Sequence, residues 1–171
     1  MRTRIGLGGR AGWAGLVAGL CLLGVLEAAV LHFLAAALLP ETVALVVDIV
    51  AVAATAALLL AVASPLWSHT RLTPTTVHAR FGLLAAIDIP RTAITGITSV
   101  HTTPAQPAEL GLAFDEDSGA LSFIRSPASP VLRIDFAAPL PARTAGLRRV
   151  HATALLVSTS DSGALLAAEP R

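Results

Sequence analysis

Three ionisable side chains, Glu27, His32 and Asp48, stand inside otherwise apolar stretches of this 171-residue chain. Between residues 11 and 39 only Glu27 and His32 titrate, apart from the thiol of Cys21; between 42 and 66 only Asp48 does. Carboxylates and imidazoles in a bilayer relay protons, bind ions or pair with each other, because each one left alone costs about 2.5–3.5 kcal/mol or more. Counted from Pro40-Glu41, His32 lies eight residues back and Asp48 seven forward. At about 1.5 Å per helical residue, both sit roughly 11–12 Å from that turn, so a His32–Asp48 pair is within reach. Glu27 lies about 20 Å from the turn and about 140° around the helix from His32, so the trio forms no single stripe.

A second pattern competes for the same helix faces. Gly15 and Gly19 form GxxxG, and Ala53, Ala57 and Ala61 repeat at the same spacing, the small-residue signature of close helix packing. Gly19 and Ala61 fall at similar depth, yet Ala57 lies nine residues from Asp48, on the opposite face at about 100° per residue. Either Asp48 faces another subunit or water, or the alanine spacing is chance in an Ala-rich chain. Polar packing of the trio is the reading favoured over a proton or ion pathway. Two spans cannot enclose a pore, so transport would require a homo-oligomer.

Outside these stretches the chemistry is sparse. Arg143, Arg148 and Arg149 lie in the segment 139–149, which has no acidic residue and reads as a loop. Near an anionic membrane each Arg contributes about 1 kcal/mol, so the three are candidate lipid-facing residues; the plain alternative is a solvated loop. Asp115-x-Asp117-x-Gly119 hints at a calcium loop but lacks the bidentate Glu that should follow, and it reads as a hairpin turn. His101 and His151 are isolated, so no metal site is expected. A single cysteine excludes an internal disulfide and a CxxC site. The chain has no lysine for a Walker motif, no HExxH and no GxSxG, and Gly6-Leu7-Gly8-Gly9 precedes an apolar helix instead of following a strand. No catalytic residue, metal or cofactor is expected, and the chain does not read as an enzyme.

The elements that must carry these residues follow from composition. Hydrophobic residues make up 54%, charged ones 13%, and mean hydropathy is +0.74, whereas a soluble domain is about 25% charged. All 12 basic residues are Arg, which with the alanine excess points to a GC-rich bacterial genome. The net charge of +1 leaves no nucleic-acid footprint. Residues 11–67 read as a transmembrane hairpin with spans at about 12–39 and 42–66, each beyond the roughly 20 residues a bilayer requires. Trp13 and Trp67 mark its membrane–water boundaries. A cleaved signal peptide competes for the first span, but the apolar run is too long for one and a second span follows at once. Arg2, Arg4 and Arg10 precede the hairpin and Arg71 and Arg80 follow it, so the positive-inside rule places both ends in the cytoplasm of a bacterial plasma membrane. Residues 1–10 are then a basic cytoplasmic N-terminus.

Residues 68–171 alternate in strand fashion. The apolar positions 77/79/81, 110/112/114 and 132/134/136 make core-facing rows, residues 150–158 form a last strand, and Ser160 or Asp161 caps a short helix through Glu169. About seven strands and one helix result, a membrane-anchored α+β chain. The stretch His69-Thr70-Arg71-Leu72-Thr73-Pro74, then Val77-His78-Ala79-Arg80-Phe81-Gly82-Leu83, then Ile87-Asp88-Ile89-Pro90 and Ile94, resembles the opening of bacterial pleckstrin-homology-like (PH-like) domains that follow two membrane helices in small actinobacterial-type membrane proteins. The resemblance implies a bent seven-stranded sheet or barrel closed by a C-terminal helix, over 68–171. Eukaryotic PH domains bind inositol phosphates with Lys/Arg on the first two strands; the corresponding Arg71, His78 and Arg80, without Lys, argue against specific phosphoinositide recognition. The function expected is a non-enzymatic cytoplasmic module for protein–protein or membrane-surface interaction, with membrane lipids and an unidentified protein as partners. The alternative is an oligomeric membrane component in which Glu27, His32 and Asp48 move protons or ions.

Overall fold

The computed structural model describes residues 3–100, 109–144 and 148–167. His101, Glu169 and the tip of the 139–149 segment lie outside the described residues. The chain divides into two compact units, Ala14–Ala63 and the combination of Met1–Trp13 with Ser64–Arg171.

The first unit is built from helices α1 (Ala11–Leu38) and α2 (Glu41–Ala63). At about 1.5 Å per residue they run roughly 42 and 35 Å, long and apolar enough to cross a membrane. Pro40 separates them. It has no N–H with which to continue α1, while its carbonyl accepts the first bonds of α2, from the N–H groups of Val43 (2.9 Å) and Ala44 (3.0 Å). Glu41 opens α2, where a carboxylate meets the positive end of the helix dipole. The less exposed positions are Val17, Cys21, Gly24, Ala28 and Ala35 on α1, and Ala44, Val47, Asp48, Ala51, Thr55 and Leu59 on α2. Their spacing, mostly in steps of three and four, is that of one helix face against another.

The second unit is a large mixed sheet with a short C-terminal helix. Its strands are β1 (Thr3–Gly6), β2 (His69–Leu72), β3 (Thr76–Phe81), β4 (Ala85–Pro90), β5 (Ile94–Val100), β6 (Gly111–Asp115), β7 (Ala120–Ile124), β8 (Val131–Thr144) and β9 (Arg148–Ser158). They are ordered β1-β2-β3-β4-β8-β9-β7-β6, with β5 paired to β8 off that path. Among the described residues eight strands lie within 68–171, where seven are expected, β1 joins them from the N-terminus, and β7 runs parallel to β9. The long β8 pairs with β5 through its first half and with β4 through its second, and its register against β9 shifts between Asp135 and Leu140. A bulge of this kind bends the strand, so one strand serves both halves of the sheet.

Alternation puts Val77, Ala79, Phe81, Ile87, Ile89, Leu121, Phe123, Leu132, Ile134, Leu155 and Val157 in the core. Phe81 stacks on Phe123 with ring centroids 5.7 Å apart. The 112/114 row is only half-buried because β6 is an edge strand. Helix α3 (Ser162–Leu166) adds the buried Leu165 and is capped by Asp161, whose side chain accepts from the N–H of Ala164 at 3.0 Å.

Two expectations are corrected. The sheet unit is not confined to 68–171: Thr3–Gly6 pairs antiparallel with His69–Leu72, and Ile5 and Leu7 are buried. Trp13 is no boundary anchor. It is 6% exposed and meets Phe81 edge-on at 5.3 Å, because the sheet unit extends to it.

Candidate functional site

The strand register gathers residues distant in sequence onto one face of the sheet. The buried row Ile5, Thr70, Ala79 and Ile87 points inward, so the alternate positions point out. One outward row runs Arg4, Arg71, His78, Asp88 across β1 to β4. A second runs Arg80, Ala86, Arg143, Arg149 across β3, β4, β8 and β9. His69 on β2 pairs with Gly6 and has the outward parity of Arg71. Five guanidinium groups thus share a face whose described rows hold one carboxylate, Asp88, itself 2.7 Å from Nδ1 of His78.

Within this face, His69, Arg71, His78 and Arg80 line a shallow cavity of about 220 Å³. Nε of Arg71 is buried without a hydrogen-bond partner. Guanidinium groups only donate, and protonated imidazoles do so from both nitrogens. The cavity is lined by donors, and the planar guanidinium fork matches the geometry of phosphate or carboxylate oxygens. It contains no nucleophile held by a base, and among the described residues no group of three or more His, Cys, Asp or Glu could hold a metal.

The lipid-facing trio expected from the sequence is split. Arg143 and Arg149 are a cross-strand pair on the basic face. Arg148 has the inward parity of Val150 and donates to Glu116 at 2.8 Å. The described part of the 139–149 segment is strand instead of loop: residues up to Thr144 extend β8 and Arg148 begins β9. Pro139 falls within the shifted register, and the β4 pairing stops at Ala142, next to Pro141.

Arg125 carries a second feature that the sequence does not signal. It is 2% exposed, and among the described residues it has no acidic partner. One terminal nitrogen donates to the carbonyls of Pro65 (3.2 Å), Leu66 (3.2 Å) and Ser68 (3.5 Å), and the other to that of Gly8 (2.5 Å). Burial, and then the positive charge of Arg10, lower its pKa from the ordinary value. The guanidinium clasps the segment entering the apolar hairpin to the segment leaving it. Ser158 completes the clasp, donating to the Leu7 carbonyl at 2.7 Å and accepting from the Arg125 N–H at 3.0 Å.

In the hairpin, Nδ1 of His32 and Oδ2 of Asp48 are 2.8 Å apart, at the equal depth the spacing implied. With Ala36, Leu39, Glu41, Ala44 and Leu45 they border a cavity of about 350 Å³. Glu27 is exposed and does not join them. The small-residue stripe is corrected: a Cβ at Gly15 or Gly19 would meet nothing within 4 Å, and Ala53 and Ala57 are exposed, with Ala61 half-buried. Because Asp48 turns toward α1, those alanines turn away. The close approach is instead at Gly24, where a Cβ would lie 3.0 Å from Cγ2 of Thr55.

The Asp115 turn is a capped hairpin. Its carboxylate accepts from the Ser118 hydroxyl (2.5 Å) and the Asp117 N–H (3.1 Å), which together hold its pKa below the usual 3.8.

Fold and site define a class: an apolar helical hairpin carrying a mixed-sheet unit with a basic outer face. A scan of family models, a search of curated proteins and a search of solved structures each find no match.

Proposed function

We propose that the chain is a non-enzymatic integral membrane protein whose PH-like module binds anionic, phosphate-bearing surfaces through its basic face. The observation that carries this reading is the register that aligns Arg4, Arg71, Arg80, Arg143 and Arg149 on one side of the sheet. A membrane-surface partner is favoured over a protein partner because the face is cationic and polar. The PH-like assignment is supported by the antiparallel β2-β3-β4 meander and the closing helix α3. Arginine asymmetry supports a hairpin crossing a bacterial plasma membrane with both ends cytoplasmic. The direct His32–Asp48 pair supports a structural use of those groups, satisfying each other inside the hairpin.

The test uses the full-length chain in nanodiscs of neutral phosphatidylcholine, mixed with separate vesicles. Vesicles rich in phosphatidylglycerol should co-float with the discs, and neutral vesicles should not. Binding should fade as salt shortens the Debye length below about 8 Å. Arg71→Gln, Arg80→Gln or Arg143→Gln should each weaken it by about 1 kcal/mol, roughly fivefold, and Arg148→Gln should leave it unchanged. Equal co-flotation with neutral and anionic vesicles would overturn the reading.

A further inference from the structure

We propose that the β3–β4 turn, Gly82-Leu83-Leu84, together with Trp67, is a membrane-inserting tip whose partner is the interfacial layer of a lipid bilayer. The inference rests on the reading of the chain as membrane-anchored, but not on any role of the arginines.

The first observation concerns where apolar surface is left uncovered. Among the described residues of the sheet unit, the two large apolar side chains with most exposure are Trp67 at 69% and Leu83 at 63%. The next, Leu166 and Leu110, are 40% and 37% exposed. The other large apolar side chains of the unit are buried, half-buried or much less exposed than these two, so the two outliers require an account.

The second observation is that the two belong to segments tied together. The Leu83 N–H donates to Oγ of Ser64 at 2.7 Å, and the Gly82 N–H to Oγ of Ser68 at 2.5 Å. Ser64 and Trp67 bound the single 3-10 turn between them. Gly82 has φ +59, and a Cβ there would collide with Ser64, so only glycine permits this approach. The turn is held, and Leu83 is presented at its tip.

The third observation selects lipid as the occupant. Ser64 directly follows Ala63, the last residue of the apolar helix α2. A turn bonded to Ser64 stands where that helix leaves the bilayer. Behind the tip come Arg80 and Arg143, the outward residues flanking Ala86, one pair beyond the Phe81–Ala85 pair that closes the turn. An apolar point with Trp and a cationic collar is the composition of an interfacial membrane contact. It gives the sheet a second attachment besides its covalent one.

The experiment uses the full chain with Cys21→Ser in nanodiscs of phosphatidylcholine alone, so that headgroup charge plays no part. A bimane probe is placed by Leu83→Cys, by Thr75→Cys at the far end of β3, or by Val50→Cys within the hairpin. Doxyl-labelled phosphatidylcholine should quench the probe at 83 about threefold or more above that at 75, as expected of a side chain among acyl chains. Iodide should show the reverse order, and molar salt should leave both unchanged. In the unmodified chain, a photoactivatable phosphatidylcholine should cross-link to the peptide holding Leu83, which keeps the test independent of the probe. Equal iodide quenching at 83 and 75 would overturn the proposal. So would protection at 83 from both quenchers, since protein would then cover the tip. A probe at 50 that lipid fails to quench would overturn the membrane reading and this proposal together. Lipid quenching at 83 alongside failed co-flotation with anionic vesicles would remove the basic-face reading alone.

Discussion

The hairpin and the sheet unit satisfy their backbone polar groups in opposite ways. In α1 and α2 the N–H groups beyond the first turn find carbonyls four residues away, so little that is distant is needed, and the outer surface remains apolar, with Leu22, Val25, Phe33, Ile49 and Leu60 exposed. In the sheet unit, β1 depends on the distant β2, and Ser158 bonds to the Leu7 carbonyl across most of the chain. Its interior also holds polar groups, Thr70, Arg125 and Ser158 among them. The hairpin is thus a local structure in which each helix has one facing helix as its partner and an apolar outer surface. The sheet is a non-local structure that depends on a few specific polar bonds. Removing one such bond should damage the sheet far more than any single change damages the hairpin.

The sharpest way to break that comparison is Arg125→Met. The change strips donors from the carbonyls of Gly8, Pro65, Leu66 and Ser68, each bond to a charged group being worth about 1.5–3 kcal/mol. Near-ultraviolet dichroism should show the sheet unit losing its cooperative transition, while far-ultraviolet helicity persists. A parallel loss of helicity would mean the two units do not fold by separate rules. Leu7→Ala comes next, with a loss of about 2–5 kcal/mol for a fully buried leucine, read from the denaturant midpoint of the sheet unit. A Leu7 in a free tail would show no change. Within the hairpin, Gly24→Leu should weaken helix association by about 1–3 kcal/mol through overpacking against Thr55, measured by steric trapping. Gly15→Leu and Gly19→Leu should be close to neutral. The smallest effect is at Asp115. Its folded pKa is lowered, so the turn's order is fully present above about 3.8 and lost as pH falls through the lower folded value. The Asp117 amide resonance should report that loss while the hairpin stays unchanged.

The same contrast explains which parts of the molecule are legible in the amino-acid sequence. The two helices, the Pro40 break and the matched depth of His32 and Asp48 follow from a rise per residue that is a local property. The rotational phase does not follow, since Gly15, Gly19 and Gly24 are equally small and only the Thr55 contact distinguishes the last. The inward rows 77/79/81 and 132/134/136 are legible from alternation. Thr3–Gly6 is not, because four residues beside arginines show no period. Pro139 and Pro141 read as loop formers but lie at a bulge and beyond the β4 pairing. Arg71, His78 and Arg80 are visible as strand positions; that Arg4 and Arg143 join them depends on register. Arg125 is invisible because its partners are carbonyls, which every residue carries.

The β1–β2 pairing has a consequence for how such a chain is made. Thr3–Gly6 leaves the ribosome before both helices, yet its partner His69–Leu72 comes only after them. The N-terminal strand must wait while the hairpin is threaded. A chain whose two helices failed to double back at Pro40 would hold the two strands apart. Such a chain forfeits β1, the burial of Leu7 and the bond from Arg125 to Gly8 together. Closing the sheet therefore requires the chain to return to where it began, and β1 is the strand that records whether it has.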